Sequence, residues 1–355
     1  MKDMNEGIID KKNNFNHYIK YIVASIYSII ICIYPYPKGY DISRFVSFYE
    51  TYQSEEMFGN HFWRILFQTP DFIAKLFIAA LAYTNLPIEI FFITFTFTTV
   101  CFLFLFFEKF HVYHTKQLPH KYAYLIFTLC LPVAAILSGI RNIHAWSVVL
   151  LVFMEYYSTK RKNYWALLYA ATVHFASFIF FPLLFFIEKF QELSIKKIGS
   201  SAFLIGLFIK ILIILDVKEW MFITPQSVSL KLEFYLDKST YLLGRLEAES
   251  YKGFLFRLLY LYFPLILFIW KIKTKGFNLF NSIWLKIGVS FYFLFIFFPD
   301  ILNRFCMLLN LIMLVYYFTI NSINKKHLKA WMIYIAVFSL IKTYLFWKGV
   351  FISFV

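Results

Sequence analysis

Long apolar runs separated by short polar loops organise this chain, and inside the runs the apolar residues are continuous rather than alternating. Such runs cover 18–34, 72–83, 88–107, a stretch ending at Glu155, 164–187, 199–215, 254–270, 281–298, 304–320 and 330–347. A membrane β-barrel needs a period of two, which the runs lack. Continuous apolar stretches near helical spanning length predict an all-α polytopic membrane protein.

The polar loops orient the runs. Loops rich in Lys and Arg stay cytoplasmic. Lys2, Lys11, Lys12 and Lys20 put the N-terminus inside. Basic clusters follow at Lys109/Lys116/Lys121, Lys160/Arg161/Lys162, Lys189/Lys196/Lys197, Lys271/Lys273/Lys275 and Lys325/Lys326/Lys329. Neighbouring clusters must be separated by an even number of crossings. Three runs lie between Lys20 and Lys109, so one of them does not cross. The shortest is 72–83, about 12 residues with Asp71 and Lys75 at its edge. It is expected on the outer face as an interfacial or re-entrant helix. Between Lys162 and Lys189 lies a single run, and a full helix there would break parity. Two half-helices meeting near His174 restore it. Irregular backbone at that depth requires burial in protein or a water-filled cavity.

The resulting plan has about eleven membrane segments, counting the half-helices separately, in one integral membrane domain over residues 1–355. A first outer loop with juxtamembrane helices covers 37–86, a large outer loop covers 217–253, and the C-terminus falls outside.

Composition agrees with this plan. The 355 residues are 61% hydrophobic with a mean hydropathy of +0.65, which excludes an ordinary soluble domain. A net charge of +15 would suit nucleic acid, but the charges sit in short loops where membrane orientation accounts for them. No nucleic-acid partner is expected. Cys32, Cys101, Cys130 and Cys306 are scattered in apolar segments without metal-ligand spacing. No disulfide framework, metal or cofactor is expected. The N-terminus is polar to about Asn16 and the run after it lacks a small-residue cleavage site, so it reads as a signal anchor.

The arginines change the picture. Lysine is the default cation, with 28 Lys against 7 Arg. Arg161 is cytoplasmic, whereas Arg44, Arg64, Arg141, Arg245, Arg257 and Arg304 fall on or near the outer face, against the orientation rule. Arginine keeps its charge and grips phosphate with two parallel hydrogen bonds. This placement points to a phosphate- or pyrophosphate-bearing ligand at the outer leaflet.

Each candidate has a bland alternative. Asp41 follows the first span and could act as a base or simply cap the next helix, on which Arg44 and Phe48 lie on related faces. Arg141 and His144 share a helical face at the outer end of a span, where an arginine can also just snorkel. His174 sits in the apolar context Ala-Ala-Thr-Val-His174-Phe-Ala-Ser, as a core histidine would, but at the expected helix break. Asp300 and Arg304 flank a short outer turn and could form an i,i+4 ion pair instead of touching a ligand. Arg245 lies in an amphipathic part of the large loop, where Glu247 and Glu249 suit a solvated face.

Four of these places, in order, resemble the EpsG-like, Wzy-type bacterial polysaccharide polymerases. Gly39-Tyr40-Asp41 with Phe45 and Phe48-Tyr49 resembles the family's Gly-x-Asp and spaced aromatics. Gly139-Ile140-Arg141 resembles its Gly-Ile-Arg-Gln, with Asn142 in place of the Gln. Ala171-Thr172-Val173-His174-Phe175-Ala176-Ser177 resembles its Ala-x-x-Phe-His-x-Ser, with Val173 for the aromatic. Asn303-Arg304-Phe305 resembles its second Arg-Phe element. The resemblance spans roughly residues 36–320, and the plan is also similar to C-type membrane glycosyltransferases.

It implies a polymerase of lipid-linked oligosaccharide repeat units at the outer face of the bacterial inner membrane. The donor would be an undecaprenyl-pyrophosphate-linked chain. The acceptor would be the non-reducing end of a new lipid-linked unit. Arg141 and Arg304, with Arg245 and Arg44, would hold the pyrophosphate. Asp41 is the first candidate base, and His174 or His144 the second. A flippase and a chain-length regulator would be partners. An O-antigen ligase would use the same donor. A lipid-linked-sugar flippase would need an aqueous cavity open to both sides and usually repeat symmetry, and no repeat is visible. A membrane acyltransferase would need an acid-paired histidine, a setting that His17 and His61 lack.

The topology is directly testable. Single cysteines replacing Thr115 and Tyr235, in a background without the four native cysteines, should label oppositely. An impermeant outer-face thiol reagent on intact cells should reach position 235 and not 115. The reverse pattern contradicts the plan.

Overall fold

The computed structural model describes residues 6–33, 41–54, 71–116, 118–119, 139–214 and 283–296, with isolated residues between and after them. Among these residues every regular element is helical. The expected span at 254–270 and the 217–253 loop lie outside the described residues, as do the expected spans at 304–320 and 330–347 apart from Phe305, Leu308, Ile312 and Val337.

The described residues fall into two compact units, divided between Leu184 and Phe185. The first holds α1 (Glu6–Ile33), α2 (Asp41–Gln53), α3 (Phe72–Tyr83), α4 (Glu89–Thr115), α5 (Ile140–Thr159), α6 (Tyr164–Val173), a 3-10 turn (Phe175–Ile179) and α7 (Phe180–Phe185). The second holds α8 (Ile187–Glu192), α9 (Ile195–Ile214) and α10 (Ile283–Phe295).

In the first unit α4 packs between α1 and α5, and α5 packs on α6. α2 lies on α3, which also reaches α6. α4 carries the one described stretch long and apolar enough to cross a membrane, Glu89–Tyr113, at mean hydropathy 2.4. Shorter apolar helices occupy Tyr18–Ile33, Phe72–Tyr83, Tyr164–Val173, Phe175–Phe185 and Lys286–Phe295. On α1 the residues Ile22, Ile26, Ile29 and Ile33 form an exposed apolar stripe, while Val23, Ala24, Tyr27 and Ile31 are buried. An uninterrupted exposed stripe of isoleucine suits hydrocarbon better than water.

Several boundaries follow from local chemistry. α1 begins well before the apolar run because its first turns hold good helix formers such as Glu6, Lys11 and Lys12. α4 and α5 end on Lys116 and Lys160, both left-handed at φ 60° and 63°. Glycine is usual at that position, but a lysine there brings its charge to the negative end of the helix dipole. The 164–187 run does break at His174, which is extended (φ −146°, ψ 111°). The chain then continues as a 3-10 turn and a short helix rather than as one second half-helix.

One buried ion pair ties α1 to α4. Lys20 Nζ lies 3.1 Å from Glu108 Oε2, and the Tyr124 hydroxyl donates to Glu108 Oε1 at 3.0 Å. In the second unit α9 meets α10 through glycines seven residues apart, hence on one face. A Cβ on Gly206 would stand 2.3 Å from the Leu294 carbonyl oxygen. A Cβ on Gly199 would meet only side chains, those of Phe293 and Val289, at 3.3–3.4 Å. Backbone cannot yield as a ring can. Gly206→Ala is therefore predicted to cost about 1–3 kcal/mol through forced separation of the helices, and Gly199→Ala clearly less. Thermal unfolding in detergent checks the order; equal midpoints for parent and Gly206→Ala contradict the close approach.

Candidate active site

Arg141 enters the fold against three local rules. It is the second residue of α5, where the helix dipole disfavours a cation, and the first turn holds no acidic residue to offset it. Its side chain is only 12% exposed. Such a guanidinium needs a partner. Asp71 provides one: Arg141 Nη1 donates to Asp71 Oδ2 at 2.5 Å across 70 residues of sequence. The guanidinium also lies over the Phe45 ring, 4.7 Å from its centroid.

Asp71 does more than pair. It stands at the N-cap of α3, where a carboxylate ordinarily accepts from the first backbone N–H groups, yet it makes no side-chain cap bond. Its other oxygen, Oδ1, accepts the Phe175 backbone N–H at 3.1 Å. That N–H follows the extended His174, where the α6 hydrogen-bond ladder stops. The carboxylate thus satisfies a donor exposed by the helix break. His174 Nδ1 lies 3.5 Å from the same oxygen, and its side chain is 9% exposed. One carboxylate joins the starts of α3 and α5 to the end of α6.

A second cation stands nearby on α3. Lys75 is buried, one turn after Asp71, with its ammonium 4.3 Å from the centroid of the Phe48 ring. Phe45 and Phe48 of α2 are adjacent, with centroids 6.5 Å apart. So α2 presents aromatic faces to two cations. Arg44, on the same helix, is exposed. Asp41 opens α2, and its side chain lies outside the described residues. Arg245 and Arg304 also lie outside them.

His144, one turn beyond Arg141, occupies separate surroundings. Its Nδ1 is 3.0 Å from the Thr99 hydroxyl and its Nε2 is 2.9 Å from the Tyr169 hydroxyl. Its ring packs 4.7 Å from that of Phe95. Phe95 continues to Phe91 and Phe45 at centroid spacings of 4.4 and 5.3 Å. An aromatic wall therefore runs from His144 back to the face that covers Arg141.

The structure brings together Arg141 and His174, and it does so through Asp71. In the sequence Asp71 and Lys75 are simply the charged edge of the 72–83 run. Two ionisable residues one turn apart at the end of an apolar run look in sequence like its polar flank. Two buried polar atoms beside this cluster in sequence, Asn142 Oδ1 and Ser177 Oγ, have no hydrogen-bond partner among the described residues. Buried polar atoms are nearly always satisfied, so both are candidate contacts for a polar ligand. Among the described residues no three His, Cys, Asp or Glu side chains converge as a metal site.

Chemically, the cluster offers an always-charged guanidinium, a buried ammonium and an imidazole beside a carboxylate. It can hold an anionic leaving group and accept a proton.

No curated protein and no solved structure matches the chain. The EpsG family model matches residues 18–354, nearly the whole length. The chain belongs to the EpsG family, a family of Wzy-like polysaccharide polymerases.

Proposed function

We propose that this protein polymerises lipid-linked oligosaccharide repeat units at the outer face of a bacterial inner membrane. The donor is a growing chain on undecaprenyl pyrophosphate. The acceptor is the non-reducing sugar hydroxyl of a new lipid-linked unit. That oxygen forms a bond to the donor's anomeric carbon. The bond from this carbon to the pyrophosphate oxygen breaks, and its electron pair leaves with undecaprenyl pyrophosphate. The hydroxyl proton passes to a base. Each turnover leaves the chain one unit longer on the acceptor's lipid.

The observation that carries this reading is Arg141, a largely covered cation at a helix N-terminus, where desolvation and the dipole both oppose it. In a chain of the EpsG family, a fixed positive charge in such a costly place suits the binding of an anionic leaving group. In this reading Arg141 grips the departing pyrophosphate, and Arg304, Arg245 and Arg44 are further candidate pyrophosphate-binding residues. His174 is supported as the base by its seat beside Asp71 in the Arg141 cluster. Asp41 is supported by opening the helix whose Phe45 covers Arg141. His144, with both ring nitrogens engaged by hydroxyls, serves packing. A flippase must deliver the lipid-linked units, and a chain-length regulator is a natural partner.

Extension of purified lipid-linked units by the reconstituted protein tests the reaction: a ladder supports a polymerase, and a single transfer to lipid A supports a ligase. Lysine cannot reproduce a two-bond grip, so Arg141→Lys and Arg304→Lys should each lose about 2–4 kcal/mol of transition-state stabilisation. A full ladder from either, at matched protein levels, contradicts the assignment. His174→Gln and Asp41→Asn separate the bases. The variant that removes the base should stop extension while still binding donor, and normal extension by both variants excludes both.

A further inference from the structure

Asp71 belongs to none of the motifs that link this chain to its family, yet two distant segments of the site, the start of α5 and the His174–Phe175 junction, converge on it. Its carboxylate receives Arg141 on Oδ2 and the Phe175 N–H on Oδ1, with the His174 ring 3.5 Å away. It does this in place of the helix cap that its position offers. A side chain that forgoes a local bond for two long-range ones is set by the site, not by its own helix.

We propose that Asp71 is the positioning residue of the reaction, aiming Arg141 at the leaving pyrophosphate and orienting His174. This role rests on the polymerase reading. Asp71 Oδ2 engages the guanidinium at Nη1, one of the five donors the group carries. With Phe45 on the ring face, that contact fixes where the fork points. On the other oxygen, the negative charge beside Nδ1 favours the tautomer with its proton there. The Nε2 lone pair is then the acceptor. Asp71 touches neither reacting carbon nor leaving oxygen in this scheme; it acts through its two neighbours.

The arrangement also exacts a cost in binding. A carboxylate beside the phosphate-binding arginine repels a bound pyrophosphate and competes with it. A positioning role therefore separates binding from turnover, which a merely structural role does not. Asp71→Asn keeps the shape and the acceptor for Phe175 but loses the charge. It should bind farnesyl pyrophosphate about threefold or more tighter than the parent at low salt. It should extend lipid-linked units on the order of 100-fold more slowly per folded molecule.

Asp71→Glu keeps the charge and so guards against a variant that fails to fold. It should bind the probe like the parent and turn over on the order of tenfold more slowly, because its longer arm displaces the guanidinium. Adding Asp71→Asn to Arg141→Lys should cost little beyond Arg141→Lys alone, since the first acts largely through the second. Parent-like turnover in both Asp71 variants overturns the proposal. So does a parallel loss of probe binding and turnover, or a double variant whose loss is the product of the singles. Failure of the parent itself to bind the probe and extend units overturns the polymerase reading, and this role with it. A parent that works beside variants that behave otherwise than stated overturns the role of Asp71 alone.

Discussion

Taking a charge out of water costs several kcal/mol, and the Arg141–Asp71 pair takes two out at once. Their side chains are 12% and 6% exposed, so neither is hydrated as a surface ion would be. Each is tolerable because the other is there. The starts of α3 and α5 are therefore bound to one another, although 70 residues separate the partners. The second oxygen of Asp71 extends the constraint to the end of α6. A helix broken in an apolar surrounding exposes a backbone N–H, and here the carboxylate receives it. Remove the carboxylate, and an arginine and a chain break lose their support together.

The aromatic residues complete the arrangement without adding charge. Phe45 covers Arg141, Phe48 covers Lys75, and Phe91 and Phe95 carry the packing on to His144. A ring face attracts a cation while excluding water, which strengthens the remaining electrostatic contacts. This is the environment in which a pyrophosphate leaving group gains most from a fixed guanidinium. The polymerase reading depends on that coupling between a dry site and a permanent charge.

Much of the scaffold was legible in the sequence. The 72–83 run, set apart in the sequence by its short length and charged edge, is α3, a helix of its own over just those residues. A single run between two basic loops calls for a break near His174, where the backbone is indeed extended. Arg141 stood out because the expected topology put an arginine of a lysine-rich chain on the outer face. The partner of Arg141 was not legible. Asp71 sits at the edge of an apolar run like any solvated flank, and a contact over 70 positions leaves no local period. The surroundings of His144 were hidden for a related reason. Helical spacing puts it near Arg141, but spacing cannot show that Thr99 and Tyr169 already hold its two nitrogens. Arg44 shares a helix with Phe45 but is exposed, because adjacent residues point about 100° apart on a helix.

A buried ion pair kept for stability and one kept for chemistry differ in what replaces them. Neutral residues of similar shape often stabilise a fold when both charges are removed together. The most direct measurement is therefore the double variant Asp71→Asn/Arg141→Met. Its thermal unfolding in detergent and its extension of lipid-linked repeat units are measured beside those of the parent. The account predicts an unfolding midpoint at or above the parent's and no chain extension. A double variant that still builds a ladder, or one that fails to fold, contradicts it.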